Sequence, residues 1–240
     1  MIKAIIFDLD DTLFPESEFV KSGFMAVDNY LKQQGIVGFY REALYLFNQG
    51  TRGNIFNLAL DQLKVDYDLD FISKLVAVYR EHFPTIKLHE DAKWAIQYLK
   101  EKYKLGIITD GFLVTQKNKV KALGIAADFD VVVFSDTYGR ENWKPSSVPY
   151  SKVMEALQLK GEQLIYVGDN PAKDFVTAKK MGWLTIQIKR KQGEYLNIEV
   201  SEEYQAHFVI ESLFELKDLL LGLEKENKSK FEGAENAENV

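Results

Sequence analysis

Cysteine is absent from the 240 residues of the chain, which excludes disulfide bonds and thiolate metal sites. Histidine is scarce, and the three that occur, His82, His89 and His207, are scattered without metal-ligand spacing. Any metal that the protein binds is therefore expected to be a hard cation held by oxygen atoms.

Long apolar runs and an excess of positive charge are lacking as well. No stretch approaches the roughly 20 apolar residues of a membrane span, and the short apolar run at the N-terminus is broken at Asp8, unlike a signal peptide. The net charge of −6 argues against a general binder of nucleic acid or anionic membranes, but it permits a locally positive pocket for a phosphorylated small molecule. We expect a cytoplasmic protein with neither nucleic acid nor membrane as partner; the sequence does not indicate its oligomeric state.

Carboxylates are concentrated at one place, directly after the first apolar run. Residues 2–7 are apolar and β-rich, which predicts a strand buried on both faces of a sheet, and Asp8, Asp10 and Asp11 follow it. Aspartate is a poor strand residue and like charges repel, so propensity does not explain the cluster. The cluster indicates either an acidic loop or helix cap, or a site for a cation or for phosphate chemistry beyond the carboxyl end of the strand.

The chain changes its periodicity after this strand. From residue 15 to 83 apolar residues recur at spacings of three and four, which predicts amphipathic helices. From residue 84 short apolar strands alternate with helices, which predicts an α/β fold with a parallel, doubly wound sheet. We expect an α/β core at residues 1–14 and 84–222, an inserted helical cap at 15–83, and a flexible tail at 223–240, where large apolar residues nearly vanish.

The sequence predicts the first and last residues of two helices near the C-terminal end of the chain. One covers Ala172 to Met181. The last begins with Ser212 as N-cap, forms a capping box with Glu215, and ends at Gly222.

Polar clusters follow the predicted buried strands. Because parallel strands deliver their carboxyl ends to the same edge of a sheet, residues far apart in the sequence are expected to meet there. Each cluster alone is compatible with an independent turn or cap, but a coincidence of four favours a single site. The clusters are Asp8, Asp10 and Thr12; Thr109, Asp110 and Gly111; the stretch leading to Lys144; and Gly168, Asp169 and Asp174.

These clusters resemble the four motifs of the haloacid dehalogenase superfamily: Asp8-x-Asp10-x-Thr12-Leu13, Thr109 after an apolar strand, Lys144-Pro145, and Gly168-Asp169-x-x-x-x-Asp174. A helical cap inserted after the first motif is similar to the phosphatase-rich subfamily that includes N-acylneuraminate-9-phosphatase, phosphoglycolate phosphatase and nucleotide or sugar phosphatases. The resemblance covers residues 1 to about 220. It implies a Rossmann-like core and hydrolysis of a small phosphorylated metabolite.

For the first motif, the resemblance implies a role for each residue. Asp8 would be the nucleophile that forms an aspartyl-phosphate, and Asp10 the acid and base that protonates the leaving oxygen and then activates water. Thr12 would help to orient Asp10. Asp11 would be only a turn residue, the most tolerant of the three acids to substitution.

For the phosphate, the resemblance implies neutral donors and one cation. Thr109 and the backbone amides of Asp110 and Gly111 would hold the phosphoryl oxygens. Lys144 would add positive charge beside Asp8 and the phosphate.

For the metal, the resemblance implies Mg²⁺ in a site made of oxygen atoms. Its ligands would be Asp8, the main-chain carbonyl of Asp10, and Asp169. Asp174 would either bind the ion, directly or through water, or support the ligands around it.

The sequence departs from the family pattern in two places. Gly139 precedes Lys144 by five residues rather than about three, and Pro149 follows it by five, so the loop around Lys144 is extended. This leaves Lys144 and Arg140 as candidates for the active-site cation, with Lys144 favoured because Lys-Pro precedes a predicted helix. Asp110 stands where Asn or Ser is common, a difference expected to change little if the backbone amide is the donor.

Other activities of the same fold are compatible with parts of the pattern. Haloacid dehalogenation uses the same nucleophile but needs neither a metal nor an acid for the leaving halide, and a phosphomutase needs a cap that retains its intermediate. A non-catalytic binding module would have no use for such concentrated negative charge. In the cap, we expect Arg52, in the loop from Gln49 to Asn54, to contact substrate; Arg41 and Lys21 are weaker candidates.

Overall fold

A computed structural model describes residues 1–225 of the chain. In this range six strands form one sheet, in which every neighbouring pair is parallel and the order is β3-β2-β1-β4-β5-β6. The strands are β1 (Ala4–Phe7), β2 (Lys104–Thr109), β3 (Val131–Phe134), β4 (Leu164–Gly168), β5 (Leu184–Ile188) and β6 (Phe208–Ile210).

The strand β1 lies in the middle of the sheet, and all four of its residues are apolar and fully buried there. It pairs with β2 on one side and with β4 on the other. The chain then adds strands outward in both directions, so the strand order reverses between β1 and β4. This is the doubly wound α/β arrangement predicted from the sequence, which is confirmed.

Nine α-helices occur among residues 1–225, and none of them has the length and apolarity of a membrane span. They are α1 (Glu16–Lys32), α2 (Phe39–Asn48), α3 (Ile55–Gln62), α4 (Leu69–Glu81), α5 (Glu90–Leu99), α6 (Leu113–Leu123), α7 (Val148–Leu157), α8 (Val176–Lys180) and α9 (216–225). Short 3-10 helices cover Ala126–Asp128, Ser135–Tyr138, Arg140–Asn142, Gly161–Gln163, Glu202–Tyr204 and Leu213–Glu215.

Contacts along the chain define two compact units. The core unit comprises residues 1–15, 88–110 and 125–225, and the helical unit comprises residues 16–87 and 111–124. This grouping differs from the predicted boundaries chiefly in α6, which belongs to the helical unit.

The helix α6 joins the helical unit through bonds to the end of α4. Thr115 Oγ1 donates to the Arg80 carbonyl at 2.9 Å, and Asn118 Nδ2 donates to the Glu81 carbonyl at 2.9 Å. The Arg80 guanidinium also lies 3.8 Å from the centre of the Phe112 ring. The division into catalytic core and cap, as domains, stays a prediction.

Each unit has its own apolar core. In the helical unit, side chains of α1 to α4 pack together, among them Phe24, Phe39 and Leu75. In the core unit, the fully buried rings of Tyr150 and Tyr166 pack at 5.5 Å between their centres, beneath one face of the sheet. Tyr166 therefore belongs to the packing of the core, and its hydroxyl extends from that packing.

The predicted helix Ala172–Met181 is shorter than expected, because α8 begins only at Val176. Asn170 explains the difference, since its side-chain oxygen accepts the Ala172 amide at 3.0 Å and its carbonyl accepts the Asp174 amide at 3.0 Å. These bonds form a turn that delays the helix and directs Asp174 inward.

The last helix is longer than predicted. The capping box of Ser212 and Glu215 is confirmed, but the helix α9 continues through Gly222 to residue 225. Gly222 was therefore wrongly predicted to end it, and the first three residues of the predicted tail are helical. Glycine costs only about 1 kcal/mol inside a helix, so it is a weak stop signal. Residues 226–240 of the predicted tail lie outside the described residues.

Candidate active site

The strand order reverses between β1 and β4, and doubly wound sheets bind their ligands in the crevice at the carboxyl ends of the strands at such a point. Asp8 directly follows β1, and its amide donates to the Val167 carbonyl of β4 at 2.8 Å. This bond continues the sheet ladder by one residue, so the backbone of Asp8 is fixed. Asp169 directly follows β4 on the other side.

Three buried carboxylates meet at this crevice. Asp8, Asp169 and Asp174 each offer an oxygen atom, and these atoms lie within 4.8 Å of one another. Among the described residues, nothing donates a hydrogen bond to the buried Oδ2 of Asp169. A set of oxygen ligands with an unpartnered buried carboxylate oxygen suits a hard divalent cation such as Mg²⁺.

Lys144 joins two of these carboxylates. Its ammonium donates to Asp8 Oδ1 at 2.5 Å and to Asp174 Oδ1 at 2.8 Å, and its side chain is fully buried. It also donates to the Tyr166 hydroxyl at 2.8 Å. Burial lowers the pKa of Lys144, but the charges of Asp174 and Asp8 outweigh it and raise the pKa well above its ordinary value. Lys144 is therefore held as a buried cation.

Burial and the neighbouring carboxylates disfavour the ionised forms of Asp8 and Asp169. Burial raises the pKa of Asp8 to about 7, with Lys144 opposing it and Asp174 adding to it. Burial, and next the charges of Asp8 and Asp174, likewise raise the pKa of Asp169 well above its usual value. A divalent cation among these groups would favour their ionised forms.

The extended loop before Lys144 is accommodated by two short 3-10 helices on either side of Gly139, whose φ of +92° suits glycine. The loop leaves Arg140 exposed, with its guanidinium 5.3 Å from the centre of the Trp143 ring. Of the two candidate cations, Lys144 is thus the one that contacts Asp8.

The carboxylate of Asp110 has a larger part than the sequence suggested. Its Oδ1 accepts the backbone amide of Lys144 at 3.1 Å, and its Oδ2 accepts the ammonium of Lys173 at 3.0 Å. Burial raises the pKa of Asp110, but Lys144 and Lys173 outweigh it and lower the pKa below the usual range. The Asp110 side chain thus fixes the backbone at Lys144. The expectation that Asp in place of Asn or Ser changes little if the backbone amide binds the phosphate stays a prediction.

Lys173 and Tyr166 are site residues that sequence reasoning missed. Lys173 stands directly before the motif residue Asp174, and this position next to a buried acid was the available signal. Tyr166 is the third residue of β4, and its hydroxyl, 3.4 Å from Asp174 Oδ1, gave no signal in a run of strand residues.

The loop of residues 9–13 is the first-motif loop. The hydroxyl of Thr12 is buried and has no hydrogen-bond partner in residues 1–225, and the expected role of Thr12 in orienting Asp10 stays a prediction. Asp11 is more than a turn residue: it is buried, has a φ of +50°, and accepts the Glu194 amide at 3.2 Å. Asp10 is half-buried between Asp8 and these residues.

The phosphate motif lies at the end of β2, beside β1. Thr109 is the last residue of the strand and is fully buried, and Asp110 follows it. Gly111 has a φ of +124°, a conformation that glycine tolerates and other residues rarely adopt. By its contacts Gly111 belongs to the helical unit.

The cap candidates lie in the helical unit. Arg52 donates to the carbonyls of Phe47 at 3.1 Å and Thr51 at 2.9 Å, and its guanidinium lies 4.2 Å from the centre of the Phe47 ring. It lines a cavity of about 300 Å³ with mainly apolar walls. Arg41 forms an exposed ion pair with Glu42 at 2.8 Å, and Lys21 lines a wider surface groove.

Comparison with known proteins identifies relatives along most of the chain. Glyceraldehyde 3-phosphate phosphatase from Methanocaldococcus jannaschii is 32% identical over 236 residues, which cover 94% of this chain and 100% of that protein. Phosphoglycolate phosphatase from Aquifex aeolicus is 27% identical over 191 residues, which cover 77% of this chain and 83% of that protein.

Among solved structures, the fold is similar to that of the HAD hydrolase YfnB from Bacillus subtilis, determined bound to magnesium. The TM-score is 0.67 at 19% identity, over 91% of this chain and 98% of that one. The sequence profile of haloacid dehalogenase-like hydrolases matches residues 5–188, a range that contains every motif residue from Asp8 to Asp174. The resemblance read from the motifs is confirmed: the chain belongs to the haloacid dehalogenase-like hydrolases, a family of enzymes to which its phosphatase relatives also belong.

Proposed function

We propose that the protein is a magnesium-dependent phosphatase that hydrolyses a small-molecule phosphomonoester through an aspartyl-phosphate on Asp8. The observation that carries this proposal is the buried group of Asp8, Asp169 and Asp174 with Lys144 bonded between two of them. A dehalogenase has no need of three carboxylates that can hold a cation. A non-catalytic module would gain nothing from burying them.

In the first step, a carboxylate oxygen of Asp8 attacks phosphorus, the bond to the leaving oxygen breaks, and Asp10 donates a proton to that oxygen. In the second step, Asp10 takes a proton from a water molecule, which attacks the aspartyl-phosphate and releases inorganic phosphate. Lys144 holds the Asp8 carboxylate in place and offsets the charge of the phosphoryl group. Thr109 and the amides of Asp110 and Gly111 bind the phosphoryl oxygens.

Mg²⁺, when bound, supplies positive charge that reduces repulsion between the anionic nucleophile and the anionic phosphate. Asp8, the Asp10 carbonyl and Asp169 would be its protein ligands. Both oxygens of Asp174 already accept hydrogen bonds, from Lys144 and from the Asn170 amide at 3.0 Å, which favours an indirect role for it through water.

The substrate is proposed to be a small phosphoester such as a sugar phosphate, a nucleotide or a phosphoglycolate-like compound. Two named relatives, which are phosphatases for glyceraldehyde 3-phosphate and for phosphoglycolate, support the smaller members of this class. Arg52 is proposed to contribute to the choice of substrate from the cavity that it lines in the helical unit. A phosphomutase stays the alternative, and the cytoplasmic location stays a prediction.

The test is a phosphate-release screen of the purified protein over a broad panel of phosphorylated metabolites, with Mg²⁺ and after chelation by EDTA. We expect release from at least one small phosphomonoester, loss with EDTA, and recovery with added Mg²⁺. Asp8→Asn should abolish release, whereas Asp11→Asn should not, because Asn tolerates the positive φ at that position. Wild-type protein that releases phosphate from no compound, or halide from a haloacid instead, would overturn the proposal.

A further inference from the structure

A segment that carries none of the family motifs, residues 189–195, donates hydrogen bonds to the first-motif loop. Residues 189–195 follow β5, and Arg190 Nη2 donates to the carbonyl of Thr12 at 2.7 Å. Four residues later the amide of Glu194 donates to Asp11 Oδ2 at 3.2 Å. The segment therefore binds two successive residues of the loop, immediately after Asp10.

Arg190 is itself fixed by a buried carboxylate. Its Nη1 donates to Asp91 Oδ2 at 2.6 Å, and the same oxygen accepts the Ser212 hydroxyl at 3.0 Å and the Leu213 amide at 2.8 Å. Burial raises the pKa of Asp91, but its bonds to Arg190 and Leu213 outweigh burial and lower the pKa below the usual range. Asp91 is thus held ionised, with donors from two distant parts of the chain.

A third bond comes from the residue before α5. The amide of His89 donates to the carbonyl of Leu13 at 2.9 Å, and the Leu13 amide donates back to the Leu9 carbonyl at 3.0 Å. The loop is therefore fixed at Asp11, Thr12 and Leu13. On its other side, Asp8 is fixed to β4.

Asp10 lies between these two fixed points, directly before Asp11. A proton donor works only when it is held within hydrogen-bond reach of the leaving oxygen. The Thr12 hydroxyl has no hydrogen-bond partner within residues 1–225, whereas the Thr12 carbonyl accepts the bond from Arg190, so Arg190 acts on the loop through its backbone. The planar guanidinium of Arg190 can bond two acceptors at a fixed angle, which a lysine ammonium on a flexible chain cannot reproduce.

We propose that Arg190 is a positioning residue for the acid and base Asp10, acting through the Thr12 carbonyl and held in turn by Asp91. This inference rests on the proposed phosphatase function. The hydrogen bonds of Arg190 described above go to Asp91 and to the Thr12 carbonyl, and neither acceptor is a proposed phosphate or metal ligand, so its effect should be specific to proton transfer.

The test uses the dependence on the leaving group. Phosphoester bonds to p-nitrophenol break with little help from an acid, whereas bonds to an alkyl alcohol need protonation of the leaving oxygen. The value of kcat/KM reports the steps up to formation of the aspartyl-phosphate, in which Asp10 donates its proton. We would measure it for p-nitrophenyl phosphate and for the best alkyl phosphate from the substrate screen.

For Arg190→Lys and Arg190→Ala we expect kcat/KM for the alkyl phosphate to fall about 10- to 100-fold, and that for p-nitrophenyl phosphate to change less than about 3-fold. Asp91→Asn should show the same selectivity more weakly. Lys191→Ala, which alters an exposed neighbour, should leave both values unchanged. In the Asp10→Asn background, Arg190→Lys should add no further selective loss.

An equal fall for both substrates in Arg190→Lys would mean that Arg190 serves only the stability of the fold, and this inference would fail. It would also fail if the two variants kept the wild-type ratio of the two values. Failure of the proposed phosphatase function would give a different result from failure of this inference, because wild-type protein would then hydrolyse neither ester.

Discussion

The sequence predicts two cationic site residues, Lys144 in the core unit and Arg52 in the helical unit. Their burial and their hydrogen-bond partners differ. Lys144 is fully buried, and its ammonium bonds to residues that are 22, 30 and 136 positions away in the sequence. Arg52 is exposed, and its two backbone bonds reach residues one and five positions away. Lys144 is thus bonded to distant parts of the chain, whereas these two bonds of Arg52 are local.

This difference matches two different tasks. A group that stabilises charge in the transition state acts best when its position costs nothing to reorganise, so it belongs on the rigid edge of a sheet. A group that selects among substrates can lie on a loop, where changes are tolerated without loss of the fold. The contrast therefore assigns chemistry to Lys144 and selectivity to Arg52.

The largest effect is expected for Lys144→Met. Removing the ammonium leaves Asp8 and Asp174 buried without their shared cation, and breaking a buried pair costs about 3–5 kcal/mol. We expect kcat to fall by about 10²–10³, as for the loss of one preorganised donor. Phosphate release gives the rate, and urea unfolding gives the free energy of unfolding.

The matched control is Arg140→Met, which removes the rival cation from the same loop at an exposed position. It should change neither rate nor stability appreciably. A loss of activity in Arg140→Met as large as that in Lys144→Met would contradict the assignment.

The next effect concerns the pair of Asp110 and Lys173, which binds the backbone of Lys144. Lys173→Met leaves the Asp110 carboxylate buried with one donor fewer, whereas Asp110→Asn leaves an amide that can still accept the Lys144 amide. We expect Lys173→Met to be the more harmful single change, and the double variant to recover part of its loss. The coupling should be about 0.5–3 kcal/mol in the free energy of unfolding.

The cycle is read from urea unfolding of the four proteins, with KM and kcat measured in parallel. Additive single changes would show that the ion pair at 3.0 Å does not hold this loop.

Features that depend on local sequence patterns could be predicted, whereas features that depend on contacts between distant residues could not. Residue types with a fixed spacing along one strand end, such as Asp8 and Asp10 or Asp169 and Asp174, were recognisable, and so was the parallel sheet, because an apolar run and its polar end are local patterns. Lys173 and Tyr166 were missed because their partners come from other strands. The place of α6 was missed because its bonds to Arg80 and Glu81 depend on tertiary packing.

A smaller effect, on stability, is expected from replacing His89. This residue lies beside Arg190, and its amide binds the Leu13 carbonyl of the first-motif loop. Burial, and next the charge of Arg190, lower the pKa of His89 to about 4, against an ordinary value of 6.5. As pH falls from 6.5 towards 4 the unfolded chain therefore gains a proton that the folded chain does not, and stability is lost in this window.

We expect His89→Gln to lose less stability than the wild type between pH 7 and about 4.5, above the range in which Asp91 titrates. The quantity compared is the difference in the free energy of unfolding between variant and wild type at each pH. This difference cancels the opposite slopes of Asp8 and Asp169, whose pKa values are raised. A difference that is constant with pH would show that His89 titrates normally.

The smallest effect on rate, and the one that tests the other side of the contrast, is expected for Arg52→Ala. Its guanidinium is exposed, so its removal should cost less than about 1 kcal/mol in stability. Hydrolysis of a small generic phosphoester should persist, because no group on the sheet edge is altered. The ratio of kcat/KM between two natural phosphoesters that differ in size or charge should change, by about 10-fold or less.

Arg41→Ala is the matched control in the same unit, since it removes an exposed arginine that is paired with Glu42. If the ratio moves with Arg52→Ala and not with Arg41→Ala, selectivity depends on the cavity that Arg52 lines. If Arg52→Ala instead slows the generic ester as much as every other substrate, Arg52 serves the chemical step. The assignment of chemistry to the buried Lys144 and of selectivity to the exposed Arg52 would then be wrong, because an exposed loop side chain would be acting in the step for which a preorganised group was proposed.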